Sequence, residues 1–420
     1  MEENLQNQPM NKNIQTARDI ALSILKPTQR DLEHGLELHK NACVIESYGL
    51  GLYSPVDPDV VNAAIDAGAS DRELQDLIED MSMTRWVATP ELREEYLEAW
   101  EASGVTCTFQ NAGEEGNDPL RLLKRLARHT YVTAAMPSIL QRAFTPSDIE
   151  SAHQNGKHCA YLTCNGIPLG GDQTNPSEEL RYIRVFAQLG ARMMHLTYNR
   201  RNPIGDGCAE PGNAGMSDFG HAVVKEMNRL GVIIDVAHTG WQTCLDAAKA
   251  STQPIVVSHS TACAINHHVR GKPDNVIRAV LDTGGSMGIT NVPAFLGGTG
   301  DISAFLDHID YVAKTFGTDH LTIGTDQEYT SRDIPETWQK IKSLGKQRDR
   351  WEYLWPTNDP VHSPEWHQDR QIQSLRWTNW PLFTVGLVQR GYTDGDILKI
   401  IGGNILRVAQ TVWSQSCYAV

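Results

Sequence analysis

The sequence predicts one α/β domain built as a (β/α)8 barrel, and three observations lead to this fold. Short apolar runs alternate with amphipathic helical patterns, which is typical of a parallel sheet wrapped by helices. Eight such runs fall within roughly 300 residues, the size of a (β/α)8 barrel. Three polar residues, His238, His259 and Asp326, directly follow such runs. They therefore stand at the strand ends where barrel active sites are built.

The predicted strands are rich in apolar residues, as expected of strands that are buried on both faces. In chain order they are Cys43-VIES, Val105-TCTFQ, His158-CAYLTC, Arg192-MMHLT, Val232-IIDVAH, Pro254-IVVSH, Gly285-SMGIT and His320-LTIGT. Helices are predicted between them. The segment 217–231, for example, begins with a Ser that can cap a helix and closes on a Gly.

Three regions fall outside this βα repeat. Residues 1–42 are predicted to be an N-terminal extension, with a disordered start and an amphipathic helix around Thr28-QRDLEHGLELHKNA. Residues 43–420 form the barrel domain, in which the helical segment 53–103 caps the first turn. Residues 330–380 carry six of the ten Trp residues and are predicted to be an insertion after strand eight, serving either as a lid or as a dimer contact.

Composition excludes several classes of protein. The net charge of −14 argues against a nucleic-acid partner, because phosphate binding needs a basic face. No segment approaches about 18 consecutive apolar residues, so no membrane span is predicted. The polar, acidic N-terminus favours the cytoplasm. The eight scattered cysteines indicate reduced, mostly buried thiols.

The stretch GARMMHLTYNRRNPIGDGCAEPGNAGMSDFGHAVVKEMNRLGVIIDVAH, residues 190–238, resembles the core of the renal (membrane) dipeptidase family of zinc peptidases. The resemblance extends over roughly residues 40–410. It continues through Val257-SHST, Arg270, Pro273-DNVIR, Gly324-TD and Gly391-YTDGDILKIIGGNILRV. It implies a homodimeric barrel that holds two zinc ions and cleaves dipeptides, including those with a D-residue at the C-terminal side.

The resemblance implies roles for four residues that match the family pattern. His238 and His259 correspond to the two histidine ligands of one zinc ion. Asp326 corresponds to the catalytic aspartate at strand eight, and Arg270 to the arginine that grips the substrate carboxylate.

Other family positions have changed, so the two-zinc mechanism is not expected here. Tyr48 and Leu50 replace the histidine and aspartate that hold the other zinc ion. Cys164 stands at about the position of the bridging glutamate, and Tyr198 replaces the histidine that steadies the scissile carbonyl. One metal site is therefore predicted to be missing.

The remaining residues predict a site with one zinc ion per chain. Cys164, His238 and His259 would hold it and leave a fourth position for water. Asp326 would take the water's proton, and Tyr198 would donate to the developing oxyanion.

Further acidic and aromatic residues are candidates at the barrel mouth. Glu46 and Tyr48 either form a polar group that contacts substrate or a hydrogen-bonded pair with no catalytic part. Glu114 or Glu115 could supply a missing ligand, although solvated loop acids are common. His195 is predicted to be structural.

These features predict a metallohydrolase that cleaves the C–N bond of a dipeptide or an N-acyl amino acid. An alternative is a metal-depleted barrel that catalyses elimination or isomerisation of a carboxylated small molecule, with Asp326 or Tyr48 as base. A third interpretation is a non-catalytic binding subunit. Metal content is expected to separate the first two, and three buried polar residues at strand ends weigh against the third.

Overall fold

The computed structural model describes residues 11–113, 117–172, 175–342 and 352–418. The strands of this part of the chain are β1 (Ile45–Gly49), β2 (Gly51–Tyr53), β3 (Cys107–Asn111), β4 (Leu140–Ala143), β5 (His158–Cys164), β6 (Met193–His195), β7 (Ile233–Asp235), β8 (Ile255–Ser260), β9 (Ser286–Ile289), β10 (Leu321–Ile323) and β11 (Glu328–Thr330). A parallel barrel has the strand order β1, β3, β5, β6, β7, β8, β9, β10, and β4 pairs with β5 outside this path. The eight predicted strands and the (β/α)8 fold are confirmed.

The first and last barrel strands meet at the mouth, the end of the barrel at which the strands finish. The Asp326 N–H donates to the Tyr48 carbonyl at 3.2 Å, and the Leu50 N–H donates to the Gln327 carbonyl at 2.9 Å. Beyond these bonds, β2 and β11 pair in parallel. These contacts bring Tyr48 and Asp326, which are 278 residues apart in sequence, to one place.

Helices surround the barrel and begin at capping residues of the expected kind. In α9, Ser217 Oγ accepts from the Gly220 N–H at 3.0 Å, and Gly231 ends the helix at a φ of 67°. The helices are α1 (Lys12–Leu25), α2 (Gln29–Asn41), α3 (Pro58–Asp66), α4 (Asp71–Thr84), α5 (Pro90–Ser103), α6 (Pro119–Ala135), α7 (Pro146–Gln154), α8 (Pro176–Gln188), α9 (Asp218–Leu230), α10 (Trp241–Ala250), α11 (Asp274–Asp282), α12 (Pro293–Leu296), α13 (Ile302–Phe316), α14 (Ile334–Lys340), α15 (Asp369–Ser374), α16 (Trp380–Gln389), α17 (Asp394–Leu398) and α18 (Asn404–Ser414). In the described parts of the chain, no helix has the length and apolar character that crossing a membrane requires.

Strand side chains alternate between the barrel interior and the layer between strands and helices, because successive residues of a strand point to opposite faces. On β5, Cys159 and Tyr161 belong to the interior cluster. Ala160, Leu162 and Cys164 belong to the larger cluster between strands and helices. This alternation decides which polar side chains can reach a site inside the mouth.

The N-terminal extension contains two helices where the sequence predicts one. Helix α2 packs on α16 so closely that a Cβ added to Gly35 would lie 2.7 Å from Val385 Cα. Nδ1 of the buried His39 lies 2.8 Å from Thr384 Oγ1. These contacts tie the extension to the barrel. The start that is predicted to be disordered, residues 1–10, lies outside the described residues.

The Trp-rich segment contributes both to the core and to the barrel mouth. Trp377 and Trp380 are buried in the cluster between strands and helices. Leu354 and Trp355 pack with Phe295 in a separate cluster, against which Tyr198 also packs. The segment therefore covers part of the mouth. Its role as a lid or a dimer contact stays a prediction.

Candidate active site

Three buried histidines converge at the barrel mouth. His195 ends β6, His238 follows β7, and His259 lies in β8 beside a register shift between residues 257 and 260. Such bulges re-aim side chains next to active sites. The ligand-type nitrogen atoms of the three histidines lie within 4.8 Å of one another. The structure thus brings His238 and His259 together and adds His195, which the sequence treats as structural.

Hydrogen bonds orient His238 and His259 so that their Nε2 atoms face each other at 2.9 Å. Nδ1 of His238 lies 2.7 Å from Asn199 Oδ1, and Nδ1 of His259 lies 2.7 Å from Ser258 Oγ. An amide oxygen only accepts, so His238 carries its proton on Nδ1, and its Nε2 accepts the hydrogen bond from Nε2 of His259.

Both imidazoles are held in their neutral form. Burial lowers the pKa of His238 and of His259 well below the usual value, and the charge of Arg270 lowers it further. Neutral imidazole is the form that binds metal ions.

A cavity of about 400 Å³ opens at the barrel mouth; its lining includes Tyr48, Tyr198 and Asp326 and none of the three histidines. The Tyr48 ring stacks on His259 with ring centres 3.9 Å apart. The Tyr198 ring stacks on His238 at 4.0 Å. The two tyrosine rings therefore lie between the cavity and the buried histidines.

Asp326 reaches the cavity from a strained backbone position. Its φ is 58°, in the left-handed region that a residue other than Gly rarely adopts and that clusters at functional sites. Its side chain is 22% exposed, and Oδ2 lies 4.0 Å from His259 Nε2. Burial raises the pKa of Asp326 to about 6, although Arg270 acts in the opposite direction. The carboxyl group can accept or release a proton near neutral pH.

Arg270 lies behind the histidines and away from the cavity. Its side chain is fully buried. The guanidinium donates to the backbone carbonyls of Ala237 and of His259, the latter at 3.2 Å. Nη2 also lies 3.4 Å from His238 Nε2. Among the described residues that line the cavity, Arg270 is absent and Arg125 supplies a guanidinium.

Cys164 is not brought to the histidines. The alternation of β5 places its side chain in the cluster between strands and helices, and burial raises its pKa to about 12. A protonated thiol on the outer face of the strand is a poor zinc donor. Only its backbone carbonyl faces the site, 3.0 Å from Nδ1 of His195.

Glu46 is also placed away from the cavity. Its buried carboxylate accepts from Trp377 Nε1 at 2.9 Å and from Thr108 Oγ1 at 3.3 Å, with a further contact to Thr325. Burial raises the pKa of Glu46 to about 7, although these hydrogen bonds act to lower it. Tyr48 donates instead to Asn165 Oδ1, so the structure does not pair it with Glu46. The acidic residues 114 and 115 lie outside the described residues.

Among the described residues, the donor set of the three histidines fits a divalent metal ion. Neutral imidazoles such as those of His238 and His259, whose Nε2 atoms share a hydrogen bond in this structure, are typical ligands of zinc. The positions on the first strand offer no second set, because Leu50 has no donor atom and Tyr48 is engaged with Asn165. Burial also raises the pKa of Tyr48 well above its usual value, which keeps the phenol protonated.

A model of the family described as "Membrane dipeptidase (Peptidase family M19)" matches residues 63–346. The match begins beyond Tyr48, which lies in β1, and Leu50, which follows that strand. Dipeptidase tcpJ of Claviceps purpurea (strain 20.1) is 24% identical over 278 residues, which are 65% of this chain. The chain spans only 55% of the length of that relative.

Solved structures share the fold over most of the chain. An amidohydrolase from Pseudomonas aeruginosa has a TM-score of 0.65 and 21% identity, and the alignment covers 90% of this chain and 99% of that one. The probable dipeptidase PvdM from the same organism has a TM-score of 0.64 and 18% identity, with coverage of 92% and 99%. A metallopeptidase from Rhodobacter sphaeroides, liganded with a phosphinate mimic of the dipeptide L-Ala-D-Ala, has a TM-score of 0.62 and 15% identity, with coverage of 89% and 99%.

Proposed function

Because the chain belongs to the membrane dipeptidase family, peptidase family M19, we propose that it hydrolyses the C–N bond of a dipeptide or an N-acyl amino acid. The observation that carries this proposal is the cluster of buried histidines beside a cavity whose lining includes Asp326. The names of the relatives support the substrate class, since one is a dipeptidase and another binds a dipeptide mimic.

We assign one zinc ion to this chain, with His238 and His259 among the residues that would hold it. Bound zinc lowers the pKa of a water ligand towards about 7 and polarises a carbonyl group. The hydrogen bonds at Nδ1, to Asn199 for His238 and to Ser258 for His259, orient the rings for this task.

Asp326 is the proposed general base. Its pKa of about 6 means that most of the carboxyl group is ionised at neutral pH and can accept a proton from water. Its place in the cavity lining gives it access to substrate. Return of this proton to the amine that leaves would complete the hydrolysis.

Tyr198 and Tyr48 are the proposed contacts to the reacting part of the substrate. Both rings line the cavity, and each stacks on a histidine that fixes its orientation. We assign Tyr198 as the donor to the oxyanion that develops on the carbonyl. Tyr48 shapes the pocket, because its hydroxyl already donates to Asn165.

We propose Arg125 as the group that binds the substrate carboxylate, a role that the family resemblance implies for Arg270. Arg125 lines the cavity, whereas the Arg270 guanidinium is buried against backbone carbonyls. Arg125 also lies 3.4 Å from Glu79, so the substrate carboxylate and Glu79 would both contact this guanidinium. The change Arg125→Gln is expected to raise KM with little effect on kcat, and Arg72→Gln, on an exposed side chain, serves as the control.

One observation favours the alternative of a metal-independent elimination or isomerisation. The Arg270 guanidinium lies 3.4 Å from His238 Nε2. Its positive charge repels a metal cation at that nitrogen and so disfavours metal binding there. In that reaction Asp326 would abstract a proton from a carboxylated substrate.

The decisive assay offers L,L- and L,D-dipeptides and N-acetyl amino acids to the zinc-loaded chain. We expect hydrolysis that stops when a chelator removes the metal and returns when zinc is added. If the chain binds zinc but cleaves none of these compounds, the proposed hydrolysis is wrong. Turnover of a carboxylated substrate that persists in chelator would support the alternative. A homodimer and a cytoplasmic location stay predictions.

A further inference from the structure

His195 occupies a position from which it can act on the same ion as His238 and His259. Its side chain is fully buried at the end of β6. Its ring centre lies 5.2 Å from that of His238 and 5.5 Å from that of His259. It meets the two rings at 79° and 81°, edge to face rather than stacked.

The hydrogen bond of His195 leaves Nε2 as the atom that could bind a metal ion. Nδ1 lies 3.0 Å from the carbonyl oxygen of Cys164. A carbonyl only accepts, so Nδ1 carries the proton and neutral His195 has its lone pair on Nε2. Donation from Nδ1 to a backbone carbonyl is the arrangement that commonly orients a metal-binding histidine.

Asp235 supplies an unusual buried charge at this nitrogen. Its Oδ1 accepts from the backbone N–H groups of Ala237 at 2.9 Å and Ser258 at 3.1 Å, which fixes the carboxylate. Its Oδ2 lies 2.9 Å from Nε2 of His195. The two atoms are at ion-pair distance, but neither forms a hydrogen bond of good geometry with any described residue.

Two buried polar atoms without hydrogen bonds are costly unless a further group satisfies them. A cation bound by Nε2 of His195 would satisfy both atoms, because it would place positive charge beside Asp235 Oδ2. The competing arrangement is a doubly protonated His195 that forms an ion pair with Asp235 and holds no metal.

We propose that His195 is a third imidazole ligand of the ion held by His238 and His259, with the Asp235 carboxylate balancing its charge. This inference rests on the single-ion site of the proposed function. It gives the ion three nitrogen ligands in place of the thiolate that the sequence suggests at Cys164. A set of three histidines leaves an open position for water or substrate.

The test compares zinc affinity, measured by competition with a chromophoric chelator, in the full chain and three variants. His195→Gln should weaken zinc binding by more than about 100-fold, the upper end of what loss of a group behind a ligand costs. Asp235→Asn should weaken it by about 10- to 100-fold. Cys164→Ser should bind zinc as the parent chain does, which makes it the matched control at a neighbouring strand end.

Spectroscopy of the parent chain tests the same inference without a substitution that could impair folding. Zinc-edge X-ray absorption should show three imidazole ligands and no sulfur, and the cobalt-loaded chain should lack a thiolate-to-metal charge-transfer band. A sulfur ligand, two imidazoles only, or unchanged zinc affinity in folded His195→Gln would overturn the inference. So would a parent chain that binds no zinc. Metal binding through three imidazoles without dipeptide hydrolysis would support this inference while the proposed function fails.

Discussion

The two sides of the barrel mouth differ in the chemistry that they offer. On the histidine side, His195, His238 and His259 bring three imidazoles from β6, β7 and β8 to one place. On the tyrosine side, Tyr48 from β1 donates to Asn165, which follows β5, and stacks on His259. We propose that the histidine side binds a metal ion, whereas the Tyr48 hydroxyl on the other side is already hydrogen-bonded to Asn165. Each strand end contributes its residues independently, so a barrel can lose ligands on one side and keep them on the other.

The largest expected effect is on the histidine side. His259→Ala removes one neutral imidazole and should abolish zinc binding at micromolar zinc. The rate of dipeptide hydrolysis should fall by about 10³-fold or more, which corresponds to about 4 kcal/mol of transition-state stabilisation. Metal analysis and kcat/KM measure both losses. The control is His158→Ala, because His158 begins β5 at the end of the strand away from the barrel mouth. Equal losses in that variant would contradict a specific role of His259.

Asp326 lies between the two sides and is expected to affect the rate without affecting the metal. Asp326→Asn should lower kcat by about 10²- to 10⁴-fold, because the amide cannot accept a proton. In the parent chain, kcat should fall as the pH drops below about 6, where the carboxyl group becomes protonated. Steady-state kinetics against pH measure both effects. Glu328→Gln, at another acid of the cavity lining, should keep the activity, and an active Asp326→Asn would rule out Asp326 as the base.

Changes on the tyrosine side should affect stability more than metal content. Tyr48→Phe keeps the ring on His259 and removes the hydrogen bond to Asn165. We expect a loss of about 1–2 kcal/mol in the free energy of unfolding, because the buried amide oxygen loses its donor. Urea denaturation measures this loss, and the zinc content should not change. Loss of zinc from Tyr48→Phe would show that the two sides do not act separately.

An effect of similar size, seen only as a pH dependence, concerns Glu46, a buried carboxyl group behind the tyrosine side. Its pKa is about 7 in the folded chain, above the usual value near 4.5, so the folded state holds a proton that the unfolded state releases. Stability should therefore fall as the pH rises from about 4.5 to 7 and then level off. Glu46→Gln should remove about 1–3 kcal/mol of this pH dependence. Chemical denaturation at about pH 5 and pH 8 measures it, and an identical slope in the parent chain and the variant would contradict the assignment.

The sequence was sufficient to predict the barrel and part of the site. All eight barrel strands were predicted, because strands that are buried on both faces read as apolar runs between helical patterns. The same apolar runs predicted that His238, His259 and Asp326, which follow them, lie together at the barrel mouth. A family resemblance between residues 190 and 275 supported it, and the family match covers residues 63–346.

The apolar runs do not show which face of a strand a residue occupies. A strand with apolar residues on both faces shows no alternation, so Cys164 and Glu46 could not be excluded from the site by pattern alone. His195 shares the face of Met193, which belongs to the interior cluster, and this parity is the signal that could have identified it. The guanidinium of the buried Arg270 donates to backbone carbonyls of Ala237, after β7, and His259, in β8, which local sequence does not reveal.

The number of zinc ions that the purified chain binds is the most direct measure of whether only the histidine side holds metal. After metal is removed and zinc is added back, elemental analysis should find about one ion per chain, and none in His238→Ala. Two ions per chain would mean that the tyrosine side still binds metal. No bound zinc in the folded parent chain would mean that neither side does, and the single-metal hydrolase would be wrong.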